Sequence, residues 1–231
     1  MRSARAERRK LPVPSGISIS PRISASTLAI ATNMLVVRPT LPVKSVAELV
    51  AYARDNPGKL TVAIDSVASI NHFMAELLRL KSGMTWTEVH YRGNAPAVTD
   101  LIAGHVDVGF LQLVDTAAHL RAGTLRALAV LGPQHAPSLP DVPTIGEAGY
   151  PDAQGVTFNG VFAPKATPRP VIDRLSAAIR AALAKPEVVD RLAALGSTAQ
   201  GSTPEEFARF LERETAKWTD VMTRANIKVS E

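Results

Sequence analysis

The chain has 231 residues, 46% hydrophobic and 20% charged, enough for a sizeable core in one large domain or two lobes. It contains no cysteine, which excludes disulfides, thiolate nucleophiles and cysteine metal sites. The formal net charge of +5 gathers in residues 2–10, where Arg2, Arg5, Arg8, Arg9 and Lys10 face Glu7 alone, so the remainder is near balance and no nucleic-acid partner is expected.

Residues 1–26 combine this charge with Pro and Ser and show no helical period, and they read as a disordered arm. Leu11–Arg22 is broken by Pro12, Pro14, Gly16 and Pro21, so the continuous apolar run of a secretory signal does not follow the basic start. No stretch approaches the roughly 18–20 apolar residues of a membrane span. The expectation for the chain as written is a soluble protein without an export address.

Thr27–Val37 is apolar and β-branched and reads as a strand. Ser45-Val46-Ala47-Glu48 is a capping box that opens a helix to about Arg54, which Asn56-Pro57-Gly58 ends. Leu60–Ile64 reads as a strand, Asp65–Ser69 as a polar loop, and Asn71–Leu80 as a helix with Phe73, Leu77 and Leu80 at core spacing. From Val89 to Leu131 short apolar runs alternate with short amphipathic ones. A strand ends at Tyr91, a helix opens near Pro96 and stops at Gly104, and Val106–Leu111 is a buried strand. A second helix ends at Gly123, and Leu125–Leu131 is another strand. This β-α-β-α-β order implies parallel strands with covered faces, an α/β fold.

Residues 143–148 suggest a short helix, and Val156–Ala163 a strand holding Phe158 and Phe162. Beyond Pro168 only helices are expected. The first carries Val171, Ile172, Leu175, Ile179 and Leu183 on one face, and the second runs from Pro186 to Gly196. The last opens with the capping box Thr203-Pro204-Glu205-Glu206 and lines up Phe207, Phe210, Leu211, Trp218, Val221 and Met222 as a core stripe.

The five histidines show neither H-x-x-x-H nor H-E-x-x-H spacing, so no metal is expected. No nucleophile elbow, phosphate loop or dinucleotide fingerprint is present, and the residues support neither an enzyme nor a cofactor.

The run H-Y-R-G-N-A-P-A-V-T-D-L-I-A-G-H-V-D-V-G-F, residues 90–110, closely resembles the signature of the Bug-type extracytoplasmic solute receptors, the binding proteins of tripartite tricarboxylate transporters. L-V-V-R-P-T-L-P-V-K-S-V-A-E-L-V-A-Y-A-R-D-N-P-G-K-L, S-L-P-D-V-P-T-I-G-E-A-G-Y-P and F-N-G-V-F-A-P-K-A-T-P-R-P-V-I-D-R-L extend the likeness over residues 26–227. The resemblance implies a type II periplasmic-binding-protein-like α/β fold. Residues 27–155 would form one complete lobe, and residues 156–231 the return strand and C-terminal helices of the other. It also implies a small carboxylate held between the lobes, a periplasmic location and the membrane components of a tripartite transporter as partners. By the same comparison about the first third of a complete receptor is absent. A truncated, non-binding form of such a receptor is therefore the alternative, and a ligand-sensing regulatory module a further one.

Loops at the C-terminal ends of strands are where open α/β sheets place ligands. The first such loop contributes Ser66, Ser69, Asn71 and His72. It is similar to the family's G-S-x-G-x-G-S-x-x-H, but Ala63, Val67 and Ala68 stand where glycines are usual and Asp65 adds a negative charge. Plain helix capping by Ser69 or Asn71 is the competing role. The second loop, Arg92, Gly93, Asn94 and Ala95, matches the family well, with Gly93 expected at positive φ and free amides after it. Arg92 either contacts ligand or pairs at the surface. Gln112, Asp115 and Phe158 complete the set, Phe158 with a hinge-core role as its alternative.

Overall fold

The computed structural model describes residues 22–227, so most of the basic arm expected over residues 1–26 lies outside the described residues. Two sheets organise the chain. Strands β2 (Asn33–Val37), β3 (Thr61–Ile64), β4 (Thr87–His90), β5 (Val108–Gln112) and β6 (Arg126–Val130) form a five-stranded sheet in the order β4-β3-β5-β2-β6. Strands β1 (Arg22–Ala31), β7 (Thr157–Pro164) and β8 (Ser197–Ala199) form a three-stranded antiparallel sheet in the order β7-β1-β8.

The single strand expected over Thr27–Val37 is therefore two strands in two sheets. It breaks at Thr32, whose N–H bonds the Gly196 carbonyl beside β8 and whose carbonyl accepts from Leu113 beside β5. β1 also starts at Arg22, inside the segment expected to be disordered, because β7 pairs with it along its whole length. The chain returns between the sheets just before Thr157. The two lobes are thus joined by two crossings, with β1 added to the C-terminal lobe.

In the larger sheet β3, β4 and β5 are parallel, as expected, while β2 is antiparallel to both β5 and β6. Every residue of β2 is buried. Leu35 and Val37 face one core cluster with helices α1 (Val46–Asp55) and α2 (Ile70–Ser82). Met34 and Val36 face the other, with α3 (Asn94–Ala103) and α4 (Leu113–Arg121). A continuous apolar run is what a strand covered on both faces requires.

Local signals set the helix ends. The Ser45 side chain accepts from the Glu48 N–H, although Glu48 reaches back to the Lys44 N–H and not to that of Ser45. Helix α7 (Pro204–Arg224) has both halves of its capping box. The helix expected at 143–148 is one turn instead, closed by Thr144 and Glu147 side chains and cut short by Gly149 at φ +98°.

Helix α7, 21 residues long, spans both lobes. Phe207 packs among Phe158, Phe162 and Phe210 on the smaller sheet, while Trp218 stacks on Phe73 and Val221 enters the core of the larger one. By contrast α5 (Arg169–Leu183) buries Ile172 and Ser176 but leaves Val171 52% and Leu175 36% exposed, and α6 (Pro186–Ala194) buries nothing. The expected apolar stripe on α5 is thus only partly covered: Ile172 is buried, Ile179 and Leu183 are half-buried, and Val171 and Leu175 stay exposed.

A Cβ on Gly160 would sit 2.3 Å from the Phe207 ring, so that glycine is where α7 lies down on the sheet. Replacing Phe207 by Ala should cost about 3–5 kcal/mol in chemical denaturation, and Gly160→Ala should destabilise through overpacking at the same contact.

Candidate functional site

Because β3, β4 and β5 are parallel, helices α2, α3 and α4 all begin at the same edge of the sheet. The loop after β4 is held from two directions. The Tyr91 hydroxyl donates to Asp100 Oδ2 at 2.8 Å, and the Gly93 N–H donates to the Asp65 carbonyl at 2.7 Å. Burial pushes the Tyr91 phenol up to about 12, with the Asp100 carboxylate adding to it. Gly93 has φ +113°, as expected, and is the N-cap of α3 without a capping side chain. Its own amide is consumed internally. The next two, of Asn94 and Ala95, have no in-chain acceptor among the described residues, and Pro96 has no N–H to offer.

Much of the signature motif is structural. Asp107 binds Arg38 at 2.7 Å and accepts from both the N–H and the hydroxyl of Thr61, tying β2, β3 and β5 at the opposite edge. Gly104 ends α3 in the left-handed conformation, and Gly109 has no room for a Cβ beside Leu111 and Leu101. The part of the motif left free for chemistry is Gly93-Asn94-Ala95, with Arg92 exposed beside it.

A chain of side-chain amides runs through the site. Asn33 Oδ1 accepts from the Thr157 N–H at 3.3 Å, and Asn33 Nδ2 donates to Asn71 Oδ1 at 2.6 Å. Asn71 Nδ2 donates to Asp65 Oδ2 at 3.0 Å and makes a long contact of 3.5 Å to Asn94 Oδ1. Asn94 Nδ2 donates to Asp115 Oδ2 at 2.8 Å. Carboxylates only accept, so Asp65 and Asp115 fix which way each amide points.

Asp65 does more than adjoin the first loop. Its carboxylate takes the Ser66 N–H, the Ser69 hydroxyl and Asn71 Nδ2. Ser69 also caps α2 by accepting from the His72 N–H. Ala68, where glycine is usual in the resembling loops, keeps a glycine-like φ of +59°.

The structure thus brings Ser69, Asn71, Gly93, Asn94 and Asp115 together, with Ser66, Arg92, Ala95 and the α4 cap Gln112 in the loops and helix starts at the same edge of the sheet. It does not bring His72 or Phe158 there. Phe158 packs edge-on against Phe207 and Phe210 in the smaller lobe. The His72 ring turns away from Asn94, with Nδ1 accepting from the Ala68 N–H and Nε2 3.5 Å from Glu88.

That ring instead lines a cavity of about 470 Å³ with Glu76, Arg79, Trp86, Glu88 and His90. His72, Glu76 and Glu88 present donor atoms within 4.8 Å of one another, a grouping that the sequence spacing does not reveal because it spans a helix and the next strand. Glu76, however, is paired with Arg79, and the Ala68 N–H leaves the proton of His72 on Nε2, the atom a metal would need. Within the cluster Glu76 is ion-paired with Arg79, and Glu88 faces the Nε2–H of His72. The His72 imidazole holds the Glu88 carboxyl down to about 2 against the opposing effect of burial.

Residues 18–227 match the family of tripartite tricarboxylate transporter family receptors. The chain belongs to this family. Among its relatives, a UPF0065 protein in the tcbD-tcbE intergenic region of Pseudomonas sp. (strain P51) is 36% identical over 223 residues, covering 96% of this chain and 66% of the relative. The chain therefore spans about two thirds of that relative's length. Two solved structures from Rhodopseudomonas palustris show the same periplasmic-binding-protein-like fold. Rpa4515 with adipate is 33% identical at TM-score 0.80, over 90% of this chain and 70% of its own. MatC (Rpa3494) with bound malate is 31% identical at TM-score 0.73, over 87% of this chain and 69% of its own. The tripartite tricarboxylate transporter receptors are binding proteins and not enzymes.

Two outcomes test the site's local physics. Ala68→Gly should raise stability by about 0.5–1 kcal/mol in urea melts, since relief of left-handed strain outweighs the extra chain entropy of glycine. Glu88 has a folded pKa below its ordinary 4.5, so its contribution is fully present above that pH and is lost as the pH falls toward 2. Glu88→Gln should flatten this acid limb by on the order of 1 kcal/mol once solvent screening is discounted.

Proposed function

We propose that this chain is the solute-binding receptor of a tripartite transporter, working in the periplasm and delivering a small carboxylate to the transporter's membrane components. The observation that carries the reading is the start of α3. Within the family's own motif, an uncapped helix terminus keeps the Asn94 and Ala95 amides without in-chain acceptors. Two donors at a helix N-terminus, with the positive end of the helix dipole behind them, suit one carboxylate. Structural neighbours carry the small carboxylates adipate and malate, each of which presents a carboxylate group of the sort such a terminus takes. Arg92, Ser66 and Gln112 are assigned to the rim of the ligand, and Ser69 and Asn71 to holding the loop. His72 and Phe158 are assigned to neither role.

A second reading, a receptor fold kept without ligand capture, draws on Asp65 and Ala68 in the first loop and on the uncovered apolar side chains of α5. One experiment separates the two. In a thermal or urea unfolding scan against mono-, di- and tricarboxylates, a captured acid at about 100 times its Kd should add roughly 2.7 kcal/mol. Gly93→Val, which forces a β-branched residue into a positive-φ cap, should abolish that gain. A flat response across the whole panel would leave the second reading standing.

A further inference from the structure

We infer that the site is built for a ligand with a single carboxylate, whose remainder is neutral or cationic, because Asp65 and Asp115 set fixed carboxylates beside two of the three helix starts at this edge of the sheet. This rests on the receptor reading above and goes further by naming the ligand class.

The three helix termini at this edge of the sheet are not equivalent. At α2, the Asp65 carboxylate receives three in-chain donors, the Ser66 N–H at 2.9 Å, the Ser69 hydroxyl and Asn71 Nδ2 at 3.0 Å. These are hydrogen bonds of the sort a ligand carboxylate would otherwise take, and a fixed in-chain anion has taken them. At α4, Asp115 stands in the first turn and holds Asn94 Nδ2 at 2.8 Å. At α3 there is neither an acidic residue in the first turn nor a capping side chain.

The α3 start is the one of the three without a carboxylate or cap of its own, which places a single ligand carboxylate on the Asn94 and Ala95 amides. That place is flanked on both sides by anions, because Asn94 bonds Asp115 directly and reaches Asp65 through Asn71. Arg92, exposed beside Gly93, supplies one positive charge against these two. A second ligand carboxylate approaching α2 or α4 would meet a like charge at short range, which disfavours it. An ammonium, amide or hydroxyl there would instead find a carboxylate oxygen to donate to.

The test is calorimetric titration of the full chain with acids matched in length: hexanoate, 6-aminohexanoate and adipate, and the four-carbon set butanoate, 4-aminobutanoate and succinate. The ω-amino acids should bind at least tenfold more tightly than the diacids of the same length, with the plain acids between. Asp65→Asn should narrow that ratio about tenfold. Should its melting curve show a disturbed loop, Asp115→Asn is read in its place. A diacid binding as tightly as its amino counterpart would overturn the inference and leave the receptor reading intact, as would a ratio that neither variant moves. Absence of binding by all six acids would overturn both.

Discussion

The candidate site depends on one directional hydrogen-bond relay, from the Thr157 N–H through Asn33 and Asn71 to Asn94, ending on Asp65 and Asp115. Asn33 and Asn71 are each only 1% exposed, and a buried amide left unpaired costs about 1–3 kcal/mol. The relay therefore forms as a unit or carries a penalty at every break. Its members come from the first residues of β7 and β2, where the chain crosses between lobes, and from the starts of α2, α3 and α4. The segments that would move if the lobes shifted are hydrogen-bonded to those that would touch a ligand.

Helix α7 supplies the rest of the coupling between lobes. One end of it closes the small sheet with Phe207 and Phe210, and the other closes the large sheet with Trp218 and Val221. Two glycines record how close this packing is. A Cβ on Gly155 would press into Met74 and Trp218, and one on Gly160 into Phe207. The second crossing is thus pinned under α7 as well as hydrogen-bonded to Asn33. Lobe position and site geometry share the same supports.

The loop from Asp65 to His72 shows how residue changes redirect a site without dismantling it. Ala68 keeps the left-handed backbone, so the course of the loop survives, while its amide is spent on His72 Nδ1. His72 in turn faces Glu88 in the outer cavity and contributes to electrostatics there. Asp65 ties up the Ser66 amide and the Ser69 hydroxyl. The capturing groups are thereby concentrated in the loop after β4, where Tyr91–Asp100 and Gly93–Asp65 bonds hold an otherwise uncapped helix start in place.

What was legible from residues alone was whatever a few neighbours along the chain decide. The caps at Ser45 and Thr203, the glycine stop at Gly104, the positive φ of Gly93 and the buried run of β5 all follow from local sterics and periodicity, and the motif at residues 90–110 disclosed the family. What only the tertiary structure decided involves partners far apart in sequence. The split of residues 22–37 into two sheets depends on β7 and β8, with Ser26 bonding Ser202 across 176 positions. Which side chains of the α5 stripe are covered depends on the elements packed against it, β1 and α7, and not on its periodicity. The separation of Asn71 from His72, adjacent in sequence yet serving the site and the outer cavity respectively, follows from the roughly 100° between successive helical side chains. Burial, pairing and direction are properties of the packed chain, and they determined which of the candidate residues come together at the starts of α2, α3 and α4.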